Sequence, residues 1–362
     1  MFSAADHEFM ARALRLARRG LFTTSPNPRV GCVLVREGKV VGEGWHRRAG
    51  EAHAEVNALA MAGEAARGAT AYVTLEPCSH YGRTPPCAEA LIAAGAARVV
   101  TAMQDPNPLV AGRGLTMLNS AGIVTECGLM TEEAVELNLG FVSRMTRGRP
   151  WVRLKLAASL DGKTALNDGR SQWITGAAAR RDGHRWRARA CAILSGIGTV
   201  RMDDPQLNVR DVATERQPMK VVVDSRLMLS PDARMLEGGA LVVYADIEDP
   251  ARADALRHRG AELLCLPGGD GRVDLRALLD ELGRRGINEL HVEGGERLNG
   301  ALLEAGLVDE LLIYLAPCLI GNAARGMFGL PPLPALDEKH TLSIRDLRRV
   351  GNDLRLLARP VR

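Results

Sequence analysis

A chain of 362 residues with 46% hydrophobic and 25% charged residues is long enough to bury two cores and too apolar to be disordered. Its 47 basic and 43 acidic residues nearly cancel to +4, and only 4% of residues are aromatic, which argues against a nucleic-acid binder that neutralises phosphates and stacks bases. The longest apolar run, Leu311 to Gly321, is broken by Pro317 and is too short for a bilayer; Asp6, His7 and Glu8 precede any apolar stretch, as no secretory signal would have it.

The seven cysteines show no disulfide spacing, so a reduced, cytoplasmic protein is expected. Cys32, Cys191, Cys265 and Cys318 sit in apolar or tight settings and are expected to pack as small hydrophobes, while Cys127 stays ambiguous.

In chain order, Ser3 and Asp6 form a capping box ahead of a helix to Arg19, with Phe9, Ala13, Leu16 and Ala17 on one face. S-P-N-P-R-V-G then feeds the strand G-C-V-L-V, and Glu37-Gly38 turns the chain into K-V-V-G-E-G-W. A helix over Ala54 to Ala62 has His53 and Glu55 in its first turn; a strand over Ala69 to Leu75 hands over to Pro77-Cys78, and Cys87 opens a helix ending at Gly95. A-R-V-V-T-A-M reads as a strand before D-P-N-P, and a helix to Gly122, a strand through Cys127 and a helix from Thr131 to Met145 complete a three-layer α/β/α unit.

Arg147 to Pro150 reads as a linker, dividing the chain into 1–147 and 148–362. Beyond it, V-R-L-K-L-A-A-S-L-D-G-K-T-A is a strand breaking at Asp161-Gly162. Helical and extended segments then alternate over Ala177 to Ala190, Cys191 to Leu194, Met219 to Asp224, Ala240 to Tyr244, Pro250 to Arg259, Leu275 to Arg285 and Leu290 to Glu293. Two strands, Glu310 to Leu315 and Leu354 to Ala358, end the chain, and Arg325 to Lys339 matches no usable motif.

Chemistry concentrates between His53 and Cys87. One imidazole (His53) and two thiols (Cys78, Cys87) are soft donors suited to zinc, and three ligands leave a fourth position for a water whose pKa falls to about 7. Glu55, two residues from His53, is placed to exchange protons with that water. A closed structural zinc site would need a fourth ligand, with His80 the near option, and would leave Glu55 idle.

In the second half, Lys155 stands in an otherwise apolar strand and reads as a polar active-site group or as an edge-strand lysine in solvent. Gly294-Gly295 in V-E-G-G-E-R-L-N-G-A joins a strand to a helix, a turn that either cradles phosphate or is merely a turn. Gly196-Ile197-Gly198 is a weak dinucleotide signal.

H-A-E followed by P-C resembles the zinc nucleoside and nucleobase deaminases, with eight residues here between the thiols where the usual motif has two. With that spacing, and with K-L-A-A-S-L-D-G-K, S-Q-W-I-T, G-I-G-T-V-R-M-D-D-P-Q-L-N-V-R, V-V-V-D-S and V-E-G-G downstream, the chain resembles over nearly its whole length the bifunctional deaminase/reductases of the riboflavin pathway. Arg201-Met202 departs from the residues often found before Asp203-Asp204-Pro205.

The resemblance implies a cytidine-deaminase-like domain fused to a dihydrofolate-reductase-like domain, zinc in the first and NADPH in the second. The implied substrate is a phosphorylated pyrimidine, with no nucleic acid or membrane partner; a homo-oligomer is compatible with it. It assigns Asn27, His46, His80, Arg83, Asp105 and Asn107 to the deaminase pocket, and Ser171, Arg187, Leu207, Arg210 and Glu293 to the reductase substrate. It assigns Ala157, Trp173, Thr199, Asp203, Ser225, Gly295, Glu296, Arg297, Leu298, Asn299, Gly300 and Ala301 to the cofactor. Arg187 and Arg210 suit a phosphate, because guanidinium donates bidentately.

Two rival readings stand against this one. A nucleic-acid or nucleoside deaminase with a non-catalytic C-terminal module is disfavoured by the near-neutral charge, and a zinc-stabilised binding protein by the presence of Glu55.

Overall fold

The computed structural model describes residues 1–81, 85–108, 110–247 and 249–361. The chain divides into two units, Met1–Gly148 and Arg149–Arg362.

The first unit runs α1 (Ala4–Ala17), β1 (Gly31–Arg36), β2 (Lys39–Trp45), α2 (Ala54–Ala62), β3 (Thr70–Val73), α3 (Cys87–Ala93), β4 (Arg98–Thr101), α4 (Arg113–Ser120), β5 (Val124–Cys127), α5 (Thr131–Leu137) and α6 (Leu139–Arg147). Its sheet has the order β2-β1-β3-β4-β5; β1 is antiparallel to both neighbours, and β3, β4 and β5 are parallel. Alternation along β1 sorts the layers. Val33 and Val35 join Met10 and Leu14 of α1 and Ala134 of α5, while Cys32 and Leu34 join Ala54 and Ala58 of α2, Leu91 of α3 and Leu118 of α4.

Two glycines on β2 let α2 lie directly on the strand. A Cβ at Gly42 would stand 2.3 Å from Ala58 O, and one at Gly44 would stand 2.2 Å from Ala54 O. The other face is secured at Asp6, which completes the Ser3 capping box and also accepts from Tyr72 Oη (2.7 Å) and Arg98 Nη1 (2.7 Å).

The expected single helix from Thr131 to Met145 is two helices, broken at Asn138. The buried Asn138 side chain accepts from the Arg29 N–H (2.8 Å) and donates to the Arg29 carbonyl (3.0 Å), a tertiary pairing that overrides helix propensity.

The second unit runs β6 (Trp151–Ser159), β7 (Lys163–Ala165), α7 (Ala177–Arg189), β8 (Ala192–Gly196), α8 (Ile197–Asp203), β9 (Met219–Val223), β10 (Ala240–Tyr244), α9 (Pro250–His258), β11 (Ala261–Cys265), α10 (Leu275–Arg284), β12 (Glu289–Val292), α11 (Glu296–Glu304), β13 (Glu310–Ala316), β14 (Arg325–Gly326), β15 (Leu342–Val350) and β16 (Asp353–Pro360). Nine strands form one sheet in the order β11-β10-β9-β8-β12-β6-β13-β16-β15, parallel from β11 to β13 and antiparallel beyond.

Val152, Leu154 and Leu156 of β6 bury one face against Leu278 and Leu282 of α10 and Leu302 of α11. The opposite side of β6 carries charge: Arg153 bridges Glu289 and Glu310 inside the sheet. Three strands of this sheet end the chain where two were expected. β15 is an edge strand with Leu342, Ile344 and Leu347 in solvent, so burial imposes no alternation on its sequence.

One further expectation is corrected. Cys265 and Cys318 are exposed, whereas Cys32 and Cys191 are buried. Within the expected linker, Arg149 is buried and its guanidinium pairs with Asp309 (3.2 Å), so the chain enters the second unit already anchored. No helix among the described residues is long and apolar enough to cross a membrane.

Candidate active site

His53 is the N-cap of α2, one position ahead of the expected first turn, with extended backbone (φ −72°, ψ 168°). Glu55 lies buried in that first turn, Cys87 is the first residue of α3, and Cys78 sits on the loop after β3. His53 Nδ1 stands 3.3 Å from Cys87 Sγ and 3.6 Å from Cys78 Sγ. Zinc bonds of ordinary length at tetrahedral angles put such donors about 3.5 Å apart, so the three side chains fit zinc as they stand. All three ligand atoms lie within 4.8 Å of one another.

The electrostatics favour a cation. Cys78 is drawn below the ordinary thiol range by the Cys87 thiol that donates to it and, against burial, by His53; Cys87, as the donor, is pushed up. The Cys87 backbone N–H also donates to Cys78 Sγ at 3.3 Å. Burial, then the negative charge of Cys78, raises Glu55 to about 7.

Asn27 and His46 meet beside this cluster. His46 Nδ1 faces the Ala52 carbonyl (3.1 Å), which makes it the N–H of the ring, and Nε2 then accepts from Asn27 Nδ2 (3.1 Å). Burial lowers the His46 pKa and keeps the ring neutral, edge-on to His53 with centroids 5.3 Å apart. Asn57, which the sequence reading passed over, ties this loop down by donating to the Trp45 and Ala52 carbonyls.

Asp105 is half-buried, and its Oδ1 accepts from the Asn107 N–H at 2.8 Å. Burial raises its pKa, with Glu76, His80 and Cys78 close enough to act on it. His80 is exposed, and Arg83 lies outside the described residues. Glu76 was also passed over, although a carboxylate directly before the P-C pair and after an apolar strand was a readable signal.

In the second unit, the expected residues gather where the parallel strands end. Lys155 is on β6, between β12 and β13, so the edge-strand reading is excluded. Its Nζ lies 4.0 Å from Glu293 Oε2, and burial and the Arg187 charge lower its pKa against the pull of Glu293. Arg187 grips Glu293 through Nε–Oε1 (2.5 Å) and Nη2–Oε2 (2.8 Å), and donates to the Asn208 carbonyl. Two residues assigned to substrate are thus each other's partners.

Arg210 is exposed, donates to Asn208 Oδ1 (2.6 Å), and has its pKa lowered by burial and then by Arg187. Leu207 is buried with φ +48°, and Ser171 is half-buried. His184, not anticipated, accepts from the Arg210 N–H (3.3 Å) and is brought down to about 4 by burial and the Arg187 charge.

Glycines cap the two helices that start at these strand ends. Gly196 heads α8 and Gly295 heads α11, neither with a side chain to cap the first-turn N–H groups, and Gly295 lies beside Thr199. Such paired open N-termini suit a pyrophosphate. Ala157, Thr199, Asp203 and Ser225 are half-buried, while Trp173 is exposed beneath the Arg180 guanidinium at 4.5 Å. Along α11, Glu296, Leu298 and Ala301 are half-buried and Arg297 is exposed. Leu298 packs on Gly196 and Gly294; Asn299 donates to the Gly294 and Met327 carbonyls, and Gly300 abuts Gly329.

Residues 3–103 match the model of the cytidine and deoxycytidylate deaminase zinc-binding region, and residues 150–356 that of the RibD C-terminal domain. The riboflavin biosynthesis protein RibD of Escherichia coli K12 is 52% identical over 96% of this chain and 98% of its own length. The chain belongs to the RibD family of riboflavin biosynthesis. The Haemophilus influenzae member is 48% identical over 99% of this chain and 98% of its own.

Two solved members have the same fold: Acinetobacter baumannii RibD (TM-score 0.91, 44% identity) and the Thermotoga maritima diaminohydroxyphosphoribosylaminopyrimidine deaminase/5-amino-6-(5-phosphoribosylamino)uracil reductase (TM-score 0.86, 32% identity), each aligned over 99% of both chains. The bifunctional deaminase/reductase character and the two-domain α/β architecture expected from sequence are borne out.

Proposed function

We propose that the first unit deaminates 2,5-diamino-6-(5-phosphoribosylamino)pyrimidin-4(3H)-one, and that the second reduces the ribosyl group of the resulting 5-amino-6-(5-phosphoribosylamino)uracil with NADPH. The observation that carries the first half is a buried glutamate, Glu55, against a three-donor cluster that fits zinc. Zinc, held by His53 Nδ1 and the two thiolates, supplies a Lewis acid that makes water nucleophilic near neutral pH.

Glu55 takes the proton from the attacking water and passes it to the amino group, so that the C2–N bond breaks and ammonia leaves. A carboxyl raised to about 7 exchanges protons readily near neutral pH. Asn27, oriented through His46, and the Asp105–Asn107 turn hold the pyrimidine.

For the reduction, NADPH supplies hydride to ribose C1, and the open helix starts at Gly196 and Gly295 suit its pyrophosphate. Arg226, exposed beside Ser225, is the partner proposed for the extra 2′-phosphate. Opening the ribose leaves an imine at C1 and requires a proton on the ring oxygen. Lys155, its pKa lowered by burial and by Arg187, supplies that proton. Arg210 and the Arg187 charge beside it form a like-charged pair, and substrate phosphate relieves their repulsion.

Mass analysis of the products with and without NADPH tests the scheme. Without it, one NH should be exchanged for O; with it, two hydrogens should then be gained. Glu55→Gln should keep zinc and lose the first step, and zinc loss or full activity in that variant would refute the assignment.

A further inference from the structure

Glu76 stands two residues before Cys78 and belongs to neither the metal cluster nor the proposed substrate contacts. Its buried carboxylate accepts four backbone N–H groups: Oε1 from Gly114 (2.9 Å) and Leu115 (3.3 Å), and Oε2 from Gly112 (2.9 Å) and Asp105 (3.1 Å). Gly112 is the N-cap of α4 and has no side chain to offer, while Gly114 and Leu115 hold the second and third helical positions, whose N–H groups an N-cap side chain normally serves. Glu76 therefore caps α4 from a distant point in the chain, its charge also favoured by the helix dipole.

The same carboxylate holds the N–H of Asp105, and its own N–H donates to the Met103 carbonyl at 3.0 Å. Gly114 touches the ligand loop so closely that a Cβ there would lie 2.0 Å from Pro77 O. One side chain thus ties together the strand end that leads to Cys78, the turn at Asp105 and the start of α4.

We infer that Glu76 is a positioning residue for deamination: it sets the Asp105–Asn107 turn against the pyrimidine without touching substrate. This rests on the proposed reading of Asp105 and Asn107 as substrate contacts. A glutamine has the same shape but turns an NH2 group toward two of the four donors, so one pair of bonds becomes a repulsion and the turn comes loose.

The test uses the full chain with zinc bound. In Glu76→Gln the deamination KM should rise roughly ten- to hundred-fold, with kcat nearly unchanged, because a ground-state binding contact is lost. Zinc per chain and NADPH-dependent reduction of the deaminated intermediate should match wild type, and amide exchange should quicken at the pair that loses its acceptor, Asp105 with Gly112 or Gly114 with Leu115. Glu76→Asp, which keeps the charge on a shorter arm, should recover part of the KM and carries the test if Glu76→Gln does not fold.

An unchanged KM overturns the inference, and so does loss of zinc, which would place the role of Glu76 at Cys78. Asp105→Asn and Asn107→Ala are run alongside. If both leave KM unchanged, the substrate reading of the turn fails and the inference fails with it. If they raise KM and the Glu76 variants do not, the inference alone fails.

Discussion

Replacing Arg153 by methionine would remove the guanidinium that joins β12 to β13 inside the second unit. Arg153 Nη1 lies 2.9 Å from Glu289 Oε2 and Nε lies 2.6 Å from Glu310 Oε2, with all three side chains at most 4% exposed. Deleting one partner of a buried ion pair costs about 3–5 kcal/mol, because the remaining charge stays in a poor solvent. Each carboxylate here keeps a second guanidinium, Arg189 at 2.7 Å from Glu289 and Arg359 at 3.1 Å from Glu310, which places the loss near the low end, about 3 kcal/mol.

For a unit of this size that loss lowers the melting temperature by roughly 6–12 °C. The pH dependence has a definite sign. Burial pushes Glu310 up, but the Arg153 and Arg359 charges override it and hold the carboxyl below its ordinary range. Its contribution is therefore present above the ordinary glutamate range and fades as pH falls, so the gap between variant and wild type should narrow in acid. Thermal unfolding followed by circular dichroism at neutral and acid pH measures both effects. Adding Glu289→Gln and Glu310→Gln to the variant should restore part of the stability, since neutral groups need no counter-charge, while Arg189 and Arg359, left without their carboxylates, are 15% and 20% exposed and keep access to water. A loss under about 1 kcal/mol, or no recovery in the triple variant, would refute the buried-charge account.

Gly44→Ala should push α2 off β2, because the new Cβ meets Ala54 O at 2.2 Å; reduced zinc affinity in a chelator titration checks it. Asp6→Asn should destabilise the first unit by about 2 kcal/mol; since Arg98 holds Asp6 well below the usual carboxylate range, the two proteins should converge as pH falls, as urea unfolding would show. Arg210→Ala should raise the reductase KM roughly ten-fold and leave deamination intact, whereas Arg187→Ala should also lower kcat by freeing Glu293, as steady-state kinetics would separate. Residues 1–147 alone should bind zinc and deaminate, and residues 148–362 alone should reduce the intermediate with NADPH; a folded C-terminal piece that consumes no NADPH would refute that independence.

The sequence alone determined the donor set and, apart from the break at Asn138, the order of helices and strands in the first unit. His53, Cys78 and Cys87 are readable because zinc chemistry restricts the residue types, and G-C-V-L-V is readable as a strand because burial on both faces makes it a continuous apolar run. The deaminase/reductase resemblance was readable because its motifs are contiguous. Tertiary structure decided what depends on a partner distant in sequence. Asn138 breaks a good helix because Arg29 offers its backbone, and Lys155 is an interior residue because β13 pairs beside β6. Arg187 binds Glu293 across 106 residues, and Glu76 caps a helix 36 residues away. Local propensity is summed over neighbours along the chain, whereas a buried polar group must find its partner wherever the fold supplies one.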